Sequence, residues 1–351
     1  MAEQFTDHLG NPIIPEVSVV QTLKSGTKIG EINGIPLYAP QGGGNVNVTQ
    51  TILSGVEIGR INNIPLYAPS GGGGSSAKPL DGKLVILCGD SQLGQAQDVD
   101  TRIQSVLGGT VINAGFGGCR MTYIKPDGHP TGHKYPDAFS MVSIAKALTT
   151  GDFTDMDDQL ASAPAYFGDT VAELKALNLG DGTNVFMTIA YASNDFKGAA
   201  PMGNATSTDT TTYKGAINYC VQTLLTSFPR MTILLLGTPM RYYSIEATEV
   251  GDYPSEAIYQ KPNGDYYVHS DYFYKTVNVD GQDEQLRRID YNDAVLEQAK
   301  LLSLPCFDVY RRCGRNKWNV WTLCPSDGTH PTSEAGKQAE ADYYVKILQT
   351  F

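Results

Sequence analysis

The feature that most constrains the fold is the alternation of short apolar segments with helical segments from residue 83 to the C-terminus. The apolar segments have the length and near-continuous hydrophobicity of strands that are covered on both faces. Strands that alternate with helices predict an α/β fold, a three-layer α/β/α sandwich around a central parallel sheet. We predict strands at 83–89, 110–113, 184–191, 231–237 and 305–309, and helices at 98–107, between 138 and 177, and at 213–227, 284–301 and 332–349.

The N-terminal part contains an internal repeat. Residues 25–40 and 54–69 share most of their sequence at an offset of 29 positions, and a run of glycines follows each copy. Each copy predicts a small β-hairpin, because Asn33-Gly34 and Asn62-Asn63 tolerate the positive φ of a tight turn between short apolar strands. An isolated hairpin is marginal in water. We therefore expect the hairpins to pack on each other, on the main domain, or on a second copy of the chain, which would make residues 1–69 an oligomerisation or docking module.

A flexible linker separates the repeats from the α/β segment. Residues 70–80 are rich in glycine and serine and cannot bury an apolar surface. We place the domains at 1–69 and 81–351, with the linker between them.

A tyrosine-rich insertion interrupts the second domain at about 240–281. The turn at 262–265 predicts a β-hairpin there. Tyrosine can stack on sugar rings, so Tyr242 and Tyr243 are candidate substrate-binding residues. A packed aromatic cluster or an interface is the alternative.

Charge and cysteine content exclude several classes of function. The formal net charge of −11 argues against nucleic acid and anionic membranes as partners. The first residues lack the pattern of a signal peptide, and no stretch approaches the roughly 18 apolar residues of a membrane span. A soluble chain without a cleaved signal is expected. The six cysteines lack CxxC spacing, so reduced thiols are predicted, with a Cys313–Cys324 disulfide as the alternative under oxidation.

Polar motifs follow the predicted strands at the points where the strands end. Residues 89–91 (GDS) follow the first strand, 113–118 (NAGFGG) the second and 192–195 (ASND) the third, while 327–330 (DGTH) precede the last helix. The carboxyl ends of parallel strands meet at one edge of the sheet, where such folds bind ligands. The four motifs should therefore form one site.

These residue types suit nucleophilic catalysis. A serine hydroxyl needs a base, and a histidine oriented by a carboxylate supplies one. We assign these roles to Ser91, His330 and Asp327. The developing oxyanion needs donors, which the backbone N–H groups of Ser91 and Gly115 and the side-chain amide of Asn194 can supply.

The four motifs, in this order, resemble those of the SGNH (GDSL-like) hydrolase family over residues 83 to about 350. The resemblance implies a flavodoxin-like sandwich and a serine esterase that forms an acyl-enzyme on Ser91 without metal or cofactor. Two positions depart from the usual pattern. Ala192 replaces a glycine of the third motif, and Gln92 stands where a leucine is common, a variation that many carbohydrate-active relatives share.

The second motif is most similar to that of sugar O-acetylesterases in the family, so the expected partner is an acetylated glycan. The family also contains lipases and thioesterases. His129 is expected to line the substrate site, and a metal site with His133 is the alternative. The repeats resemble segments of tail-associated proteins of gut bacteriophages and prophages. A virion or surface protein whose hydrolase fold binds glycans is therefore a second hypothesis, and the expected location is the cytoplasm or a phage tail.

Overall fold

The computed structural model of the protein describes residues 27–32, 35–39, 55–61, 64–69, 78–96, 98–123, 135–279 and 282–350. The chain forms two compact units, Met1–Ser76 and Ala77–Phe351. Among the helices of the described residues, none combines the length and apolar character that crossing a membrane requires.

In the first unit, each repeat forms an antiparallel hairpin. Its strands are β1 (Thr27–Ile32), β2 (Ile35–Ala39), β3 (Gly55–Ile61) and β4 (Ile64–Pro69). The hairpins join through β1 and β3, which pair antiparallel with Glu31 opposite Arg60, and the sheet has the order β2-β1-β3-β4. The two repeats therefore pack on each other, which is one of the three arrangements that the sequence allowed.

The second unit is built on a five-stranded parallel sheet, which confirms the predicted α/β class. Its strands, in the spatial order β14-β8-β7-β5-β6, are β5 (Leu84–Gly89), β6 (Thr110–Gly115), β7 (Val185–Ala190), β8 (Thr232–Leu236) and β14 (Cys306–Phe307). Alternate residues of each strand point to opposite faces. In β5, Ile86 and Cys88 belong to the larger core, whereas Val85 and Leu87 belong to the core on the other face.

Helices cover both faces of this sheet and complete the three layers. Helices α4, α6, α8 and α9 contribute to the larger core, and α2 and α12 contribute to the smaller one. The helices are α1 (Ser91–Gln95), α2 (Val99–Leu107), α3 (Tyr135–Ala138), α4 (Met141–Thr150), α5 (Thr154–Gln159), α6 (Tyr166–Lys175), α7 (Ser193–Lys197), α8 (Tyr213–Ser227), α9 (Arg288–Leu301), α10 (Val309–Arg312), α11 (Val320–Leu323) and α12 (Glu334–Leu348). Short 3-10 helices lie at Leu160–Ser162, Ala247–Asp252 and Ser255–Ala257.

The tyrosine-rich insertion, together with the residues that directly follow it, forms two small antiparallel sheets. Strands β9 (Tyr242–Ile245), β10 (Ile258–Gln260) and β11 (Tyr266–His269) form the first, and the predicted turn at 262–265 joins β10 to β11. Strands β12 (Tyr274–Val279) and β13 (Gln282–Arg287) form the second.

The predicted helix at 284–301 was wrong at its start. Residues 282–287 pair with β12 as a strand, and the helix begins only at Arg288. The Asp290 carboxylate accepts a hydrogen bond from the Arg287 backbone N–H at 2.6 Å and so caps the helix at this point. The largely polar sequence of 282–287 is compatible with either state, and cross-strand pairing decides it.

Candidate active site

Ser91 lies at the carboxyl end of β5, at the first position of α1. Asp90 caps this helix, because its Oδ1 accepts a hydrogen bond from the Gln92 backbone N–H at 3.0 Å. Glycine is needed at 94, where a Cβ would lie 2.8 Å from the carbonyl oxygen of Gly115, and space is tight at Gly89, where a Cβ would lie 3.2 Å from the carbonyl oxygen of Ala190. The close packing of α1 on the sheet therefore fixes the position of Ser91.

The structure brings the three predicted residues Ser91, His330 and Asp327 into one hydrogen-bonded chain. His330 Nε2 lies 2.8 Å from Ser91 Oγ, and His330 Nδ1 lies 2.6 Å from Asp327 Oδ2. A carboxylate can only accept hydrogen bonds, so Nδ1 carries the proton and Nε2 is free to accept one from the serine hydroxyl. This is the geometry of a nucleophile with its base and its orienting carboxylate.

The loop that carries Asp327 is organised around its carboxylate. Oδ1 accepts hydrogen bonds from the backbone N–H groups of Thr329 and His330, both at 2.9 Å. Burial of the carboxyl opposes its ionisation, but the hydrogen bonds from His330 and Thr329 outweigh burial and hold the pKa of Asp327 well below its usual range. Asp327 therefore stays ionised at neutral and mildly acidic pH.

Two of the three predicted oxyanion donors are placed for that role. The backbone N–H of Ser91, in the first turn of α1, has no acceptor in the described part of the chain. The Asn194 amide donates one hydrogen to the Cys119 carbonyl oxygen at 2.8 Å, which leaves its second hydrogen for a ligand. Cys119 ends the loop that passes Ser91, since a Cβ on Gly117 would lie 3.8 Å from Ser91 Cβ.

The assignment of Gly115 as an oxyanion donor requires correction. Its backbone N–H donates to the Asn113 side chain at 3.1 Å, and the residue is buried against α1. Gly118, in the same motif, is the better candidate. It is exposed at a φ of 82°, its N–H finds no acceptor among the described residues, and it lies between Gly117 and Cys119. Asn113 therefore decides which N–H of the motif is available.

Gly115→Ala should destabilise the protein because the new Cβ would lie 2.5 Å from the Gly94 nitrogen and 2.6 Å from Leu93 Cβ. Helix α1 must shift to relieve this overlap, so we expect a loss of about 1–3 kcal/mol in the free energy of unfolding. Urea denaturation measures the effect. Gly168→Ala on α6 is the matched control: nothing lies within 4 Å of its Cβ, and alanine should gain about 0.5–1 kcal/mol. Equal stability of Gly115→Ala and wild type would contradict the packing argument.

A buried ionic cluster behind the site was not predicted from the sequence. The Arg315 guanidinium donates to the Thr329 carbonyl oxygen at 2.9 Å, to Gln92 Oε1 at 3.0 Å and to Glu340 Oε2 at 3.2 Å. Its side chain and that of Glu340 are 4% and 2% exposed. Arg315 thus links the loop that carries His330 to the helix that carries Ser91.

Asp195, the neighbour of Asn194, has a structural role. It accepts hydrogen bonds from the backbone of Met121 and Thr122 at 2.9 and 3.0 Å, and these bonds tie α7 to the loop beside the site. Burial raises the pKa of this carboxyl.

The structure places Tyr242 and Tyr243 in aromatic clusters, and their substrate-contact role stays a prediction. Both rings are buried, because β9 directs them into aromatic clusters. Tyr242 contacts Trp321 and His269 with ring centroids 5.7 and 5.4 Å apart, and Tyr243 stacks on Phe273 at 4.6 Å. The structure thus favours the alternative of a packed cluster. His129 and His133 lie outside the described residues.

The cysteines and metal ligands give no second site. All six cysteines are free thiols, including Cys313 and Cys324. Within the described ranges, no group of three histidine, cysteine or acidic side chains is arranged to hold a metal ion.

Neither a protein-family model nor a curated protein matches the sequence. Among solved structures, the chain is similar to "a possible lipase" from Chitinophaga pinensis, with a TM-score of 0.43 and 14% identity over 76% of this chain and 98% of that one. It is also similar to the lipase/acylhydrolase from Enterococcus faecalis (TM-score 0.36, 13% identity, 76% of this chain and 96% of that one). A third such structure is a carbohydrate acetylesterase family member from Sinorhizobium meliloti (TM-score 0.36, 14% identity, 77% and 100%).

Proposed function

We propose that the chain is a serine ester hydrolase of the SGNH type that removes O-acetyl groups from carbohydrate. The observation that carries the proposal is the continuous hydrogen-bonded chain from Asp327 through His330 to Ser91. It ends beside N–H donors that are free to bind an oxyanion, at the edge of the sheet where parallel folds act.

The first half of the reaction follows from this geometry. Ser91 Oγ attacks the ester carbonyl carbon while its proton passes to His330 Nε2, and the carbonyl oxygen becomes an oxyanion. The N–H groups of Ser91 and Gly118 and the Asn194 amide stabilise that charge. His330 then gives its proton to the departing alcohol oxygen as the ester C–O bond breaks, which leaves the acyl group on Ser91.

Water completes the cycle by the same route. His330 takes a proton from the attacking water, a second oxyanion forms in the same position, and its collapse releases the carboxylic acid and returns the proton to Ser91. His330 is the acid or base in every proton transfer of this sequence, and the oxyanion donors also belong to the chain. We therefore expect a chelator to leave the activity unchanged.

The acetyl and carbohydrate parts of the proposal have separate support. The sequence at 113–118 resembles that of sugar O-acetylesterases. Gln92 stands where a leucine is common, a variation that resembles that of carbohydrate-active relatives.

A series of p-nitrophenyl esters from acetate to octanoate tests the reaction and the acyl preference together. We expect acetate to give the highest kcat/KM and the value to fall with chain length. Acetate release from a peracetylated sugar then tests the alcohol side. The highest kcat/KM on octanoate would instead favour a lipase. Wild type that cleaves no ester would favour the second hypothesis, a glycan-binding protein with a hydrolase fold. A docking role for residues 1–69 stays a prediction.

A further inference from the structure

Arg241 lies close to the candidate site and forms no ion pair with a described residue. It follows β8 and directly precedes β9, and its side chain is half-buried. None of the described carboxylates forms an ion pair with it, and its Nε is buried without an acceptor in the same part of the chain. A guanidinium has five N–H donors, and a buried donor without an acceptor costs free energy. Such a group needs a reason for its retention.

The aromatic residues of the insertion hold the guanidinium in place. Its carbon lies 4.4 Å from the centroid of the Tyr243 ring. Tyr243 in turn stacks on Phe273 at 4.6 Å and contacts Phe196, a residue of α7, at 5.5 Å. The stack orients the fork of N–H donors without using any of them. Arg241 is therefore held by ring stacking, and the N–H donors of its guanidinium bond to no described residue.

A second arginine makes this arrangement more costly. Arg288 is fully buried, donates to the Pro239 carbonyl oxygen and to Ser193 Oγ, and keeps its Nη1 without a partner among the described residues. Burial lowers the pKa of Arg241, and the charge of Arg288 lowers it further, while Asp327 and Asp90 act in the opposite direction. Neither Arg241 nor Arg288 forms an ion pair with a described carboxylate, and each keeps a buried nitrogen that an acceptor on a ligand could satisfy.

The position of Arg241 indicates which part of an ester would meet it. The adjacent residue, Tyr242, donates its backbone N–H to the Gly328 carbonyl oxygen at 3.3 Å, so this segment lies against the loop of Asp327 and His330. In the proposed mechanism His330 protonates the leaving alcohol. The alcohol part of the substrate must therefore lie on the His330 side. The Asp327 carboxylate, on the same loop as His330, is close enough for its charge to act on the Arg241 guanidinium.

We infer that Arg241 binds a carboxylate on the alcohol part of the ester, so that the substrate is an acetylated acidic sugar, such as a hexuronic acid unit. A carboxylate accepts two parallel hydrogen bonds from a guanidinium. The inference rests on the proposed function and specifies its substrate.

A matched pair of substrates tests the inference. An O-acetylated methyl glucuronoside and the corresponding acetylated methyl glucoside differ only in the carboxylate at C6. We expect wild type to favour the glucuronoside in kcat/KM by about tenfold or more, and Arg241→Gln to bring the ratio close to one. Both glycosides carry the same acetyl group and react with the same serine, so the ratio of their kcat/KM values isolates the carboxylate contact from any change that the variant makes in the common chemical step. Arg230→Gln, an exposed arginine paired with Asp181, is the control substitution and should leave the ratio unchanged.

The outcomes separate the inference from the proposed function. Wild type without activity on p-nitrophenyl acetate or either glycoside would overturn the proposed function. Activity with the same substrate ratio in wild type and Arg241→Gln would overturn the inference alone. The inference would also be overturned if Arg241→Gln lowered kcat/KM only for a succinyl ester of the neutral glucoside, because the carboxylate that Arg241 binds would then lie on the acyl side. Arg241→Lys keeps the charge but not the fork of donors, so its ratio of kcat/KM values should lie between those of wild type and Arg241→Gln.

Calorimetry of methyl glucuronoside binding to Ser91→Ala gives a measurement that does not depend on turnover.

Discussion

Ser91→Ala should lower kcat/KM for p-nitrophenyl acetate by about 10⁴-fold or more. The substitution removes the oxygen that would attack the carbonyl, while the backbone N–H that serves as an oxyanion donor stays in place. The residual rate measures what the oxyanion donors and His330 achieve with water alone. Initial rates over a range of ester concentrations, with p-nitrophenolate absorbance as the signal, give the comparison.

The fold should be unaffected by Ser91→Ala. Among the described residues the Ser91 hydroxyl bonds to His330, and the side chain that caps α1 is that of Asp90. Circular dichroism and the midpoint of thermal unfolding should match those of wild type. Ser105→Ala removes an exposed hydroxyl on α2 and is the control, with an expected change of less than about twofold. Wild-type activity in Ser91→Ala would exclude this serine as the nucleophile.

Arg315→Met should cost about 3–5 kcal/mol in the free energy of unfolding, the largest stability effect that the structure predicts. The change leaves the buried Glu340 carboxylate without its cation and deprives Gln92 and the Thr329 carbonyl of a donor. The midpoint of urea unfolding reports the loss. Arg311→Met is the control, because the ion pairs of Arg311 with Asp293 and Asp308 are half-exposed and should contribute about 0–1 kcal/mol.

Two further measurements identify the cause of that loss. The double variant Arg315→Met/Glu340→Gln should recover part of the stability, since the buried charge is then gone. Burial raises the pKa of Glu340, and Arg315 opposes the rise. Without Arg315, the raised pKa of Glu340 in the folded state destabilises folding at pH values above the pKa of an unfolded glutamate, about 4.3. As the pH falls from about 7 to about 5, Glu340 takes up a proton in the folded state, so the loss of stability should shrink. A pH-independent loss of less than about 1 kcal/mol would show that the ion pair is unimportant.

Local patterns predicted those features that depend on neighbours in sequence. The strands of the central sheet, helix 213–227 and the sites of Ser91, Asp327 and His330 were recognisable because each lies in a short motif next to a strand or helix. The parallel sheet then brings together motifs that are more than 200 residues apart, and this step also follows from topology.

The features that escaped prediction depend on contacts between distant residues. Arg315 and Gln92 are 223 positions apart, and no local signal links an arginine near the C-terminus to the helix of the nucleophile. The choice between Gly115 and Gly118 depends on the orientation of one amide, that of Asn113. Likewise, the start of α9 was misplaced because the secondary structure of residues 282–287 depends on their pairing with β12.

The pairing of the two N-terminal repeats has a consequence for partner choice. Glu31 and Arg60 are equivalent positions, 29 residues apart, and they face each other where β1 meets β3. A local twofold axis therefore passes between them. The duplicated hairpin thus completes a four-stranded sheet by pairing with its own duplicate, and this sheet needs no strand from a second copy of the chain.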